Sequence, residues 1–477
     1  MNFNSYKSSS ITKIERDVDE DSVESICEEE LIPLNEDLLG ILFDPENDDI
    51  ETIGLSIIEL SKNVHSNDKR ILSMVNSIFL DKLRLFLVDH YDNVTTESIH
   101  LLNYIILNNE NIVDMFYDNE IHDCIMTSLK MVQPITCACM QIEILEYMIS
   151  DNTIEIFIKQ GIVSFILDLM SYFATISIPS RAEAALAQLP YFSQGIDDER
   201  IFLLCHSIRF LSKVVKFPLS REYKCINEIF DNLIHFGLLS SEIDEILCIS
   251  LNGIATSRLY SCKGQRIAKM EAVSDLFQKC NSSNSFVREK SLMIVQDLAL
   301  EPYTLKEMNK KGLIHMIQSE MEFQDINTIL LTSEIIGNIA YNDIRNISFE
   351  IISTDIIMTL HSWLATSTYN VRKSICKAFA NFLACEDFDE IICSRIPTLY
   401  NDIIEMLESI DMEMVSLVLS NIILIIESWD KRGLDFEIRE KFIAAGLIEK
   451  IEILSDGSSS IYPLLMSLRE LMNQKTQ

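Results

Sequence analysis

The chain has 477 residues, with 39 Lys and Arg against 73 Asp and Glu, for a formal net charge of −34. That balance argues against nucleic acid or an anionic membrane as a partner of the bulk surface, because phosphate binding needs clustered Lys and Arg. It favours basic peptides or basic proteins, and it keeps a long apolar-cored molecule soluble.

Residues 1–35 open the chain as an acidic segment, through Asp17–Asp21 and Glu28–Glu30, with only Lys7, Lys13 and Arg16 as basic residues. Low hydrophobicity with net negative charge predicts a mainly disordered tail. Nothing in it has the basic-then-apolar form of a signal peptide. Helical periodicity begins near Asn35–Asp37 and runs to about Asn473, giving a repeat domain over 36–473 and a short tail over 474–477. With 48% hydrophobic residues, 12 Gly and 9 Pro, the composition suits long helices joined by short turns. Apolar residues recur at i, i+3, i+4, as in Ile375, Ala378, Phe379, Phe382 and Leu383.

One signature returns along this domain: an apolar helical stretch, a small or polar residue, then two aliphatic or small residues. Clear copies are Leu251–Ala255, Gly337–Ala340 and Ala380–Ala384. The anchors fall at 59, 103, 147, 213, 252, 297, 338, 381, 424 and 470, separated by 44, 44, 66, 39, 45, 41, 43, 43 and 46 residues. A helical repeat of about 40–47 residues lies in the armadillo/HEAT range. One unit cannot bury its own apolar face, so units stack around a continuous core. The fold class expected is all-α: a right-handed armadillo superhelix of about ten repeats, with third helices centred on the anchors. The long step from 147 to 213 places an insertion at about 172–200, where Pro179, Pro190 and Gly195 break helices. A short helix is expected there around Ala182–Leu189.

The twelve cysteines are scattered; the closest pair, Cys137 and Cys139, lacks zinc spacing. They read as reduced, mostly buried thiols of an intracellular protein. The eight histidines show no ligand spacing. No phosphate loop, nucleophile elbow or catalytic triad signature is present, so no cofactor, metal or catalysis is expected. No apolar run reaches about 18 residues without a charge, so no membrane span is expected.

Val371-Arg372-Lys373-Ser374-Ile375-Cys376-Lys377-Ala378-Phe379-Ala380-Asn381 resembles a repeat of importin-α, the armadillo adaptor of nuclear import. Gly337-Asn338-Ile339 and Ser212–Pro218 are similar to further copies. Gly446-Leu447-Ile448-Glu449-Lys450-Ile451-Glu452-Ile453-Leu454 with Ser460-Ile461-Tyr462 is similar to that family's last repeat. The resemblance covers about residues 35–473. It implies a non-catalytic adaptor of cytoplasm and nucleus that binds extended, basic localisation segments in a groove of third helices. Importin-β and the export factor would be its further partners. Asn103, Asn252, Asn338 and Asn381 would bond the partner's main chain, and Glu143 and Glu334 would supply local acidity.

The departures from the family bear on function. Its Trp slots, four residues before each Asn, hold cargo lysines. Here those positions are Ile99, Glu143, Arg209, Cys248, Met293, Glu334, Lys377 and Ser420. The Asn ladder is replaced at Tyr147, Lys213 and Asp297, and Lys213 and Lys377 would repel a lysine-rich segment. The basic importin-β-binding segment is replaced by the acidic tail. Basic peptides should therefore bind weakly, and first at Asn338 and Asn381, where Gly337 and Ala380 leave room for a backbone. Asn in a third helix could instead tie the superhelical turn. The rival function is an armadillo scaffold for cytoskeletal or signalling partners, without a role in import.

Overall fold

A computed structural model describes residues 36–64, 71–72, 75–88, 93–131, 133–174, 197–217, 224–239, 244–257, 260–323, 325–342, 345–409, 411–455 and 460–473. The tail over 1–35, the core of the insertion and its expected helix at 182–189 lie outside them. Among the described residues the chain is helical, with no β-strand.

The repeating pattern is two short helices followed by a longer third, as in Pro302–Lys310, Leu313–Glu320 and Ile326–Tyr341. This is the armadillo unit, and the protein is an all-α armadillo-repeat solenoid. All ten anchors fall on third helices, which are α1 Ile50–Val64, α2 Asn93–Asn108, α3 Ile135–Tyr147, α4 Asp197–Val214, α5 Asp244–Thr256, α6 Ser285–Leu298, α7 Ile326–Tyr341, α8 Tyr369–Leu383, α9 Met412–Asp430 and α10 Tyr462–Asn473. The anchors are not helix centres. Tyr147 ends α3, and Lys213 and Asp297 each stand one residue from the end of theirs. The polar anchor follows the apolar stretch that builds the core, so it falls toward the C-terminal end.

The chain divides into two compact units at Cys124. In the first, α1 packs on α2. Ser61 at the end of α1 donates to Glu97 of α2 at 2.5 Å. Lys82 is buried, and its ammonium donates to the carbonyls of Ile41, Asp44 and Asn47, so one lysine satisfies the end of the opening helix Glu36–Phe43.

In the second unit each third helix from α3 to α10 packs on the next. The reason is visible in α8, where Val371, Ile375, Ala378, Phe379, Phe382 and Leu383 are all buried. Each large apolar side chain there contributes about 1.5–3 kcal/mol on leaving water. Helix starts are set by side-chain caps: Asn284 accepts from Phe286 and Val287, Asp325 from Thr328, and Asp411 from Glu413. The turn between first and second helices takes a left-handed residue in five repeats, at Glu120, Gly161, Glu271, Gly312 and Gly446. Glycine adopts that conformation without a Cβ penalty; the two glutamates occupy it without that relief.

α9 is long and apolar enough to cross a membrane by length and composition alone. It is a core helix, half buried, packed against α8 and α10.

α4 and α5 approach closely because Gly253 faces Ser212. A Cβ at 253 would sit 2.3 Å from the Ser212 hydroxyl, 2.7 Å from its Cβ and 3.2 Å from its Cα. Gly253→Ala gains about 1 kcal/mol in helix propensity, but overpacking of this kind costs about 1–3 kcal/mol. We expect a lower thermal midpoint for Gly253→Ala, recovered by adding Ser212→Gly; no loss in the single variant would refute the close packing.

Candidate functional site

The third helices carry the residues that the sequence singles out, and the structure sorts them by what they already bond. Asn338 of α7 donates from its amide to the Gln296 carbonyl of α6 at 3.0 Å, and Asn381 of α8 donates to the Gly337 carbonyl of α7 at 3.2 Å. Both side chains are half-buried. One N–H of each amide therefore ties its helix to the preceding repeat. The second N–H and the oxygen have no hydrogen-bond partner among the described residues. Asn342, one turn on, makes the same kind of tie to the Ala299 carbonyl at 2.6 Å.

Asn252 of α5 is also half-buried, and its side chain makes no hydrogen bond among the described residues. Asn103 lies in the other unit and is 9% exposed. Glu334 of α7 accepts from the Gln296 amide at 2.7 Å. Burial pushes its carboxyl above the ordinary range, opposed by the Lys377 ammonium and by that hydrogen bond. The rung of Gln296, Glu334, Asn338, Lys377 and Asn381 is thus one connected surface across α6, α7 and α8.

One feature of this surface differs from expectation: Ala380 is buried at 2% exposure and does not widen the approach to Asn381. Gly337 is half-buried like the Asn side chains, and an added Cβ there would meet only ordinary contact with Ala378 of α8 at 3.8 Å.

The rungs where Asn is replaced are engaged within the fold. Lys213 of α4 donates to the Glu146 carbonyl of α3 at 2.7 Å, and its ammonium lies 5.5 Å from the Tyr147 ring centroid. It does not simply repel a basic segment; it is held by a carbonyl and an aromatic face on the preceding repeat. Glu143 lies half-buried on the same face of α3. Asp297 of α6 binds the buried Lys263 ammonium at 2.6 Å. Trp429, outside the Trp register, is buried and donates from its indole to the Leu383 carbonyl at 2.8 Å. Third-helix side chain to preceding third-helix carbonyl is therefore a recurring tie, made by Lys213, Asn338, Asn381 and Trp429. For Lys213, Asn338 and Asn381 the sequence signal is the anchor spacing, which does not distinguish a tie from a ligand contact; Trp429 lies off that spacing.

Off the ladder, Asp389 is buried and accepts from Tyr400 at 2.5 Å while pairing with Lys441. Burial, with Asp389 adding, pushes the nearby Cys393 thiol up to about 12. Burial does the same at Cys376, also to about 12. Ten of the cysteines among the described residues are free thiols, seven of them buried. Among those residues no cluster of His, Cys, Asp and Glu could hold a metal ion. An open cavity of about 610 Å³ lies off the ladder, lined by Gln265, Ala268, Lys269, Glu301 and Tyr303.

No family model matches the chain, and no curated protein matches it. Among solved structures, an engineered protein is 16% identical and covers 92% of this chain and 98% of its own, with a TM-score of 0.68. That likeness shows the fold. A designed armadillo repeat protein in complex with the peptide (KR)4 is 15% identical, covering 51% of this chain and 99% of its own, with a TM-score of 0.44. Computationally designed armadillo repeat proteins for modular peptide recognition are similar at 17% identity, over 51% of this chain and 100% of theirs, with a TM-score of 0.43.

Proposed function

We propose that this chain is a non-catalytic recognition scaffold. An extended segment of a partner protein lies along the third helices, with its main chain at Asn338 and Asn381 and basic side chains drawn to Glu334. The observation that carries this reading is the pair of half-exposed Asn amides on adjacent helices, each pre-oriented by a bond to the preceding repeat. Pre-orientation lowers the entropy lost when a ligand binds. In its finer form the scaffold is a divergent importin-α-like import adaptor of cytoplasm and nucleus, meeting importin-β and the export factor. The register and the terminal repeat support that form. The missing Trp slots and the internally engaged rungs at 147, 213 and 297 confine it to the Asn338–Asn381 end, with weak affinity for simple basic signals.

The test is titration of a Lys/Arg-rich peptide against wild type and the double variant Asn338→Ala, Asn381→Ala. Two amide bonds, about 1 kcal/mol each, predict a loss of tenfold or more in affinity. The inter-repeat ties also go, so the melting temperature should fall. Asn342→Ala controls for that effect, since it removes a similar tie and should leave affinity unchanged. Equal affinity in the folded double variant would make the ladder purely structural. Capture of importin-β from lysate supports the import form; cytoskeletal proteins alone would displace it.

A further inference from the structure

The rung at α3 and α4 carries a group of basic residues in this acidic chain. Arg209 and Lys213 stand at i and i+4 on one face of α4, and Lys216 follows in the turn just after it. Glu146 of α3 lies beside them, with Glu143 near it. One carboxylate oxygen of Glu146, Oε2, is buried without a hydrogen-bond partner. Burial pushes its carboxyl up to about 7; Arg209, Lys213 and Lys216 oppose the rise and Glu143 adds to it. Burial thereby weakens the negative charge that Glu146 sets against these bases. His206, one turn before Arg209, is buried; burial, and then Arg209, hold its imidazole down to about 4, so it is neutral.

Arg209 is the distinctive member. It is half-exposed, and its guanidinium makes no hydrogen bond or ion pair among the described residues. A guanidinium fork matches a carboxylate with two parallel hydrogen bonds, which an ammonium cannot do. Where the resemblance would place an aromatic slot for a lysine stem, this chain presents a donor fork for an acid.

We propose that Arg209, flanked by Lys213 and Lys216, receives the carboxylate of an acidic side chain in the bound segment. The partner is then a peptide whose charge changes along its length: acidic at α3 and α4, basic toward Glu334 on α7. This rests on the groove reading above and adds the charge order of the ligand. It also explains how a chain of net charge −34 accepts an acidic residue at one point, since ionic strength screens the remote charges and leaves the adjacent bases in place.

The experiment uses the full chain and two capped, fluorescein-labelled octapeptides, alternating Ala-Glu and alternating Ala-Lys. Anisotropy is read at an ionic strength where the screening length is about 8 Å. Ala-Glu should bind wild type. Arg209→Gln should weaken it about tenfold or more, Arg209→Lys should fall between, and Arg209→Glu should shift preference to Ala-Lys. Circular dichroism should match wild type in each variant, because the side chain is half-exposed and unbonded. Failure of Ala-Glu to bind, or equal binding to Arg209→Gln, overturns the assignment of an acid to Arg209. If Ala-Lys still depends on Asn338 and Asn381 in that case, the groove reading stands alone. If neither probe responds to the Asn pair, the groove reading falls and this assignment with it.

Discussion

Asp297→Ala should cost about 3–5 kcal/mol, among the largest losses available to a single substitution in this chain. Lys263 is fully buried, its ammonium 2.6 Å from Asp297 and 3.3 Å from the Ala255 carbonyl. Burial lowers the Lys263 pKa below the ordinary range, and Asp297 opposes that drop. Burial raises Asp297, and Lys263 opposes that rise. Each ion is tolerated because of the other. Removing the carboxylate leaves the interior ammonium without its countercharge, and the unfolded chain then binds the proton more readily than the folded one. Stability of Asp297→Ala should therefore climb as pH rises toward the unfolded lysine value, where both states are neutral. Asp297→Asn keeps an acceptor without the charge and should fall between. The pair Lys263→Met, Asp297→Leu removes both charges and should regain most of the stability. Urea midpoints across pH check all three. A mild, pH-independent loss in Asp297→Ala would mean that the pair is not buried as described.

This pair also shows where sequence reasoning stopped. The anchor spacing located all ten third helices, because stacking demands an apolar face at a fixed period whatever the anchor residue is. It did not reveal that Asp297 belongs to a buried pair, since Lys263 lies 34 residues away on a first helix. Lys213 and Tyr147 were legible as departures from a ladder of asparagines, yet their meeting across repeats depends on how α3 and α4 pack. Asn338 and Asn381 were singled out by position. Their ties to the Gln296 and Gly337 carbonyls were not legible, because main-chain acceptors leave no trace in a sequence. The five left-handed turn residues were half legible: Gly161, Gly312 and Gly446 follow from the glycine rule, while Glu120 and Glu271 hold the same conformation against it.

Glu320→Gln should stabilise the protein at neutral and alkaline pH and leave it unchanged near pH 4. Glu320 closes the second helix Leu313–Glu320, is fully buried, and neither carboxylate oxygen has a hydrogen-bond partner among the described residues. The adjacent cation is engaged elsewhere. Arg288 donates from Nε to Thr328 at 3.1 Å, from Nη1 to the Ser282 carbonyl at 2.8 Å and from Nη2 to Asp325 at 3.0 Å, and lies 4.2 Å from the Phe323 ring centroid. Burial consequently pushes the Glu320 carboxyl up to about 7, opposed by Arg288 and reinforced by Asp325. The sign follows from the direction of the rise. Folded protein holds this proton more tightly than unfolded protein does, so the contribution is complete below the unfolded value near 4.5. It disappears as pH rises through about 7. A shift of that size corresponds to at most about 3 kcal/mol. Gln cannot ionise and has nearly the same shape, so the cost of a buried, unbonded polar head is common to both proteins and cancels in the comparison. The quantity to read is the change with pH of the difference in urea midpoint between wild type and variant. It should open between pH 5 and pH 8 and then stay constant, and parallel curves over that interval would overturn the account. Glu146, which burial also pushes up to about 7, should behave the same way. The double variant Glu146→Gln, Glu320→Gln should then be flatter with pH than either single one.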